Sequence, residues 1–441
     1  MSATPSIPVA SQEVSPAGEG FLNRLLRRAN PFALPLWIWL IGIAIVYLIF
    51  LVRSHNNLSQ TGTAYYNYLL DAFLHGRTNI TPPVTLDLSH YAGKWYLYWG
   101  ATPVIFVLPF YLFAHLQTSD IVYGCVAGIL NVVVFSGCVI EFVRYFKLNV
   151  SQFSQIFVVL NFAFISPNFY LAIGGTVWYV NQVISIFYLL LFYYFCLKFL
   201  NTDRLPLFAL AVIFFSLAWN ARLSLICDGV LLIYVFIVLL QRDRKRCWHM
   251  LGVTSAISSV AIAYFFWYNE VRFANPLQIG YQYQAAAQRF IVDYATNQEF
   301  SLSHIPYNAT YYFLNHIALR FVPPYVQIDR EGNSIFSVYP LAILAFYLFK
   351  RTVYTRTNRL FLFLLFFGLS VNFLIILADM GTGWVQFGSR YFLDVIPGLF
   401  LALLFVVERV DLSARAGILL YGIYVNFVGT LLFYNVIQWK G

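Results

Sequence analysis

The chain is organised by repeated apolar runs of near 20 residues, such as Pro31–Val52, Ile121–Val143 and Leu360–Ala378, separated by short basic segments. A run of that length crosses the roughly 30 Å hydrocarbon core of a bilayer as an α-helix, which satisfies its own backbone hydrogen bonds in lipid. A transmembrane barrel would instead show alternation over roughly 10 residues. Composition agrees: 60% of the 441 residues are hydrophobic and 10% charged, against about 45–50% and 25% in soluble domains. The fold class is therefore an all-α polytopic membrane protein. The net charge of +9 sits in clusters between apolar runs, the positive-inside pattern, so nucleic acid is not an expected partner. The five cysteines, Cys125, Cys138, Cys196, Cys227 and Cys247, lie in apolar runs or beside a basic loop, which suggests neither a disulfide framework nor a cysteine metal site.

Charge placement orients the runs. Residues 1–20 are rich in Ser, Pro, Ala and Gly, and Arg24, Arg27 and Arg28 follow. Residues 1–30 read as a disordered basic cytoplasmic tail, and Pro31–Val52 as an uncleaved first span. A long external loop follows, with a short amphipathic helix expected over Thr61–Arg77 and stopped near Pro82–Pro83. Ala101–Leu116 is short and carries Pro103 and Pro109. If it crossed the membrane, every later basic cluster would fall outside. If it lies in the outer interface, Arg144–Lys147, Arg242–Arg246 and Lys350–Arg359 all fall inside. This parity gives about eleven transmembrane helices in one domain, 31–441. External loops are expected at about 53–120, carrying juxtamembrane helices, and at 269–334, with the N-terminus in the cytoplasm of a cell with an inner membrane.

Chemistry is then expected at the outer face. In the first loop the carboxylates are Asp71 and Asp87. Near a bilayer surface a carboxylate is partly desolvated, which raises its pKa and suits a general base. The plainer alternatives are an exposed helix acid for Asp71 and a turn or cap for Asp87. Lys94 lies among Tyr91, Trp95, Tyr96, Tyr98 and Trp99, which could stack on a sugar or form an interfacial aromatic belt. Arg272 follows a span end, where a guanidinium could clamp a lipid phosphate or anchor to headgroups. Arg222 lies at an outer turn, where function competes with an Arg222–Asp228 pair. Arg390 opens a returning span, with Asp394 as the competing partner. The histidines show no zinc spacing. No G-x-S-x-G, Walker A or Rossmann pattern is present.

Three features together resemble the GT-C superfamily of integral-membrane glycosyltransferases, which use polyprenyl-phosphate-linked sugars and include protein O-mannosyltransferases and the aminoarabinose transferase of lipid A. They are a basic N-terminus with one span and a long external loop, the segment DLSHYAGKWYLYWGATPVIFVLPFYLF (Asp87–Phe113), and WYNEVRFANPLQIGYQY (Trp267–Tyr283) with GSRYFLD near the end. The resemblance covers roughly 30–435. It implies an inverting transferase with Asp87 or Asp71 as base, and Lys94, Arg222, Arg272, Tyr281, Arg390 and Tyr391 binding substrate. Its partners would be a polyprenyl-phosphate-linked sugar donor and a lipid, glycan or protein acceptor. No cofactor is required by any motif; a divalent metal stays open and would need further carboxylates. Two departures stand out. Ser54–Tyr65 lacks the acid such enzymes usually carry after the first span, and Ala274 replaces the glycine of RFG. A transporter or lipid flippase, or a non-catalytic scaffold of the same fold, remain the alternatives.

Overall fold

The computed structural model describes residues 35–285, 290–296, 298–323, 325–355 and 358–437. The tail at 1–30 lies outside the described residues. Helices of eight residues or more are α1 (Leu36–Ser54), α2 (Tyr65–Leu74), α3 (Pro103–Ala114), α4 (Asp120–Phe146), α5 (Gln152–Phe164), α6 (Pro167–Gly174), α7 (Val177–Thr202), α8 (Leu205–Ala221), α9 (Val230–Arg242), α10 (Arg244–Phe273), α11 (Arg359–Ala378), α12 (Ile396–Leu403) and α13 (Leu412–Phe433). Local chemistry sets several boundaries. Ser119, Ser151, Ser166 and Asp243 cap α4, α5, α6 and α10 by accepting from backbone N–H groups, the bonds that helix starts lack. Prolines stand in the first turn of α3, α6, α8 and α12, where no N–H is needed.

By length and composition, seven of the described helical stretches can cross a membrane, counting α9 with the 3₁₀ turn before it as Leu223–Arg242, or eight if the bent pair α5–α6 is one span. The chain is thus a multi-pass membrane protein. The other expected spans fall on shorter pieces. α8 has 17 residues, and the runs at 335–349 and 391–407 are divided into short α and 3₁₀ segments around Pro340 and Pro397. α3 has 12 residues, or about 18 Å at 1.5 Å per residue, too short for the hydrocarbon core. The first-loop helix stops earlier than expected. It ends at Leu74 because Gly76 adopts φ 68°, the left-handed conformation that glycine tolerates, rather than at Pro82–Pro83.

α7 is the central post, packed along α4 and α8; 72% of its apolar window is buried, against 11% for α10. Within the bundle a chain of buried polar side chains bonds one to the next, as lipid-embedded helices favour. Asn131 donates to Asn168 (2.8 Å) and to the Val183 carbonyl, Asn168 donates to Tyr47 (2.9 Å), and Tyr47 donates to the Ala163 carbonyl. This chain of bonds ties α1, α4, α5, α6 and α7.

The first loop folds on one end of this bundle. Strands β1 (Ser89–Tyr91) and β2 (Lys94–Tyr96) form an antiparallel hairpin. Its two-residue turn, Ala92–Gly93, has φ 48° and 76°, matching the twist of a tight hairpin. The second loop joins it: the Asp87 N–H donates to the Ala285 carbonyl (3.0 Å) and the Ala285 N–H to Leu88 (2.8 Å).

Candidate functional site

The two loops and the ends of α7, α8, α10 and α11 enclose a cavity of about 560 Å³. Each wall comes from a local sequence decision. On one side Asp87 sits at φ 58°, a region short polar side chains tolerate better than most, which turns its carboxylate toward α7. There Trp178, one residue into the helix, donates its indole N–H to Asp87 Oδ2 at 2.9 Å. Burial pushes the Asp87 carboxyl above the usual carboxylate range, while the Trp178 bond and the Arg390 charge oppose the rise.

Gly100 then docks on the end of α8. A Cβ on Gly100 would lie 1.5 Å from the Asn220 carbonyl oxygen, so only glycine permits this approach. Directly beyond lies Arg222, which breaks α8 in an extended conformation (φ −149°). Its Nε donates to Asp394 Oδ2 at 2.6 Å, and its guanidinium stacks 4.8 Å from the Tyr391 ring centre. The fully buried Asp394 also accepts from Ser224 (2.9 Å) and Gln182 (3.1 Å). Neither ion pair considered from sequence is the one formed: Asp228 accepts from Tyr193, and Arg222, not Arg390, takes Asp394.

Arg390 is buried yet makes no salt bridge among the described residues. It donates to the Tyr391 hydroxyl at 3.2 Å, lies 4.8 Å and 5.9 Å from the Tyr391 and Tyr179 rings, and leaves its Nε without a partner. Such a buried cation carries an unmet demand for an anion. Opposite, α10 presents Tyr264, Tyr268 and Arg272 at four-residue spacing, one stripe of a helix. Tyr264 stacks on Tyr268, and Arg272 lies 3.8 Å from the Tyr268 ring centre. Arg272 donates to the carbonyls of Leu97 and Tyr268 and to Asn269 Oδ1 (2.7 Å), with no carboxylate partner among the described residues.

The structure brings Asp87, Arg222, Arg272, Tyr281, Arg390 and Tyr391 to this one cavity. Asp71 and Lys94 are not among its lining residues. Asp71 on α2 accepts from Arg77 (3.3 Å) and from Tyr111 on α3 (2.9 Å). Lys94 is exposed on the β-hairpin.

One lining acid went unrecognised in the sequence, Asp379. It follows α11, accepts from the Gly381 N–H at 3.0 Å, and is pushed up to about 6 by burial against the opposing charges of Arg222 and Arg390. Its one sequence signal was position, a carboxylate directly after an apolar run and before glycines. No group of three or more His, Cys, Asp or Glu side chains stands together among the described residues.

No sequence family and no curated protein matches the chain. Solved structures do. The oligosaccharyltransferase of Archaeoglobus fulgidus in its apo form matches with a TM-score of 0.51 at 12% identity, over 89% of this chain and 56% of that one. ArnT from Cupriavidus metallidurans bound to undecaprenyl phosphate matches with a TM-score of 0.48 at 14% identity, over 87% and 62%. This chain therefore aligns with about three fifths of the length of these structures. The first likeness shows the fold: it is the GT-C fold that the sequence segments resemble.

Proposed function

We propose that this chain is a membrane glycosyltransferase that moves a sugar from a polyprenyl-phosphate carrier to an acceptor hydroxyl at the outer face of the cytoplasmic membrane. One observation carries the reading: a carboxylate of raised proton affinity, Asp87, shares a cavity with three arginines, two of which have no carboxylate partner among the described residues. In a low-dielectric cavity, such cations favour an anion that develops or departs there. The GT-C fold and the Asp87–Phe113 segment support the same assignment.

The proposed step is a displacement with inversion. The acceptor hydroxyl gives its proton to Asp87 while its oxygen attacks the anomeric carbon. The bond from that carbon to the phosphate oxygen breaks, and the carrier phosphate leaves with the electron pair toward Arg222, Arg390 and Arg272. Tyr281 and Tyr391, beside these cations, bound the sugar and phosphate. Asp71 and Lys94, off the cavity, receive no role in the step. The acceptor is a lipid, glycan or protein hydroxyl. The N-terminus would lie in the cytoplasm, with both long loops outside. A transporter would need its polar groups in broken helices of two matching halves, whereas this cavity is walled by loops and helix ends.

The test is transfer from a labelled polyprenyl-phosphate sugar by the reconstituted protein, supplied with cell-envelope extract as acceptor. Asp87→Asn is expected to lose about 10²–10⁴-fold in rate. Full retention would remove Asp87 as base. No transfer to any acceptor by a folded protein would overturn the enzyme reading.

A further inference from the structure

Asp120, at the start of α4, is fully buried and lines no part of the cavity. Its carboxylate nonetheless gathers three donors from two distant segments. Oδ1 accepts the Thr61 N–H at 2.7 Å, and Oδ2 accepts the Thr61 hydroxyl and the Thr176 N–H at 3.0 Å. Both segments lead to Asp87. Thr176 sits at φ 65° as the residue before α7, two positions ahead of Trp178, whose indole N–H holds the Asp87 carboxylate. Thr61 opens the turn into α2, whose Tyr65 hydroxyl donates at 2.8 Å to the carbonyl of Leu86, the residue before Asp87. A β-branched residue in the left-handed region is strained, so the Thr176 turn needs an external clamp, and Asp120 supplies it.

We infer that Asp120 is a positioning residue: it clamps the first loop to the start of α7 and so fixes the indole bond that orients Asp87. This rests on the role proposed for Asp87, but the coupling is measurable without catalysis. Loosening the clamp weakens the Trp178 bond, which favours the charged carboxylate. Asp87 then holds its proton to higher pH. Two other charged or titratable groups act on Asp87: Arg390, on the 390–394 turn, is not held by the clamp, whereas Tyr65 is carried on α2 and moves with Thr61.

The experiment uses full-length protein in nanodiscs, labelled with 5-fluorotryptophan. The Trp178 resonance is the one lost in Trp178→Phe, and its pH titration in the parent protein reports Asp87 if Asp87→Asn abolishes it. In Asp120→Asn the midpoint is expected to rise. The acidic limb of kcat should rise with it, and kcat should fall by on the order of 10²-fold, as displacement of a reacting group does, with KM unchanged. Thr61→Val deletes one donor and is expected to shift the midpoint less, in the same direction; it carries the test if Asp120→Asn fails to fold. Unchanged midpoints in the folded variants overturn the inference. Shifted midpoints together with normal transfer by Asp87→Asn would overturn the proposed base role and leave the clamp standing.

Discussion

At the residue scale, the cavity is a balance of buried charges. Asp379 stands near Arg222 and Arg390 and is pushed up to about 6 by burial. Above that pH its carboxylate offsets the arginines, and below it the cavity gains net positive charge. Asp379→Asn is therefore expected to tighten binding of a polyprenyl phosphate at pH 7.5 and to change affinity little at pH 5. Isothermal titration of parent and variant isolates the effect, because the second ionisation of the phosphate is common to both. Equal affinities at pH 7.5 would show that Asp379 does not act on the anion. Ala274 is a separate case. It follows α10 at φ 52°, the left-handed position where helices favour glycine. Ala274→Gly is expected to stabilise the protein by about 1 kcal/mol, read as a higher thermal midpoint in detergent. The unusual alanine thus carries a backbone cost rather than a chemical role.

At the element scale, the first loop is held by close backbone approach. Gly100 meets the end of α8, and the Thr102 hydroxyl donates to the Leu217 carbonyl at 2.8 Å. Gly100→Ala must push the loop off α8, at a cost of about 1–3 kcal/mol for overpacking, and shift the cavity wall that Trp99 and Gly100 line. The expected result is a lower thermal midpoint together with a raised KM for the carrier-linked sugar. A normal midpoint and KM would mean that the loop relaxes freely. α3 matters for a related reason. Its 12 residues keep the chain on one side of the bundle, so that Asp87 and Arg222 can approach. The hairpin around Ala92–Gly93 was not read from the sequence, and the end of α2 before Gly76 was hidden behind the more conspicuous Pro82–Pro83.

At the scale of the whole molecule, both long loops must share one side of the membrane for the cavity to form. Single cysteines at the exposed positions Ser303 and Lys245, placed in a chain with Cys227 and Cys247 replaced by serine, test this in intact cells. A membrane-impermeant thiol reagent is expected to label Ser303→Cys, and to label Lys245→Cys only after lysis. The reverse pattern would invert the proposed orientation. The apolar runs, their helical state and the basic segments between them were legible in the sequence, because burial in lipid and charge placement act on each segment by itself. Asp87, Arg222, Arg272 and Arg390 could be singled out for the same reason, as costly charges beside apolar runs. Their partners could not. Arg222 chooses Asp394 over the nearer Asp228, Asp120 reaches back to Thr61, and Asp379 joins the cavity only where α11 meets the 390–394 turn. Sequence by itself determined which segments seek the membrane and which residues resist it. Only the tertiary structure decided which charges meet, because Coulomb energy and desolvation depend on distances that helix packing sets between residues 59 to 172 positions apart.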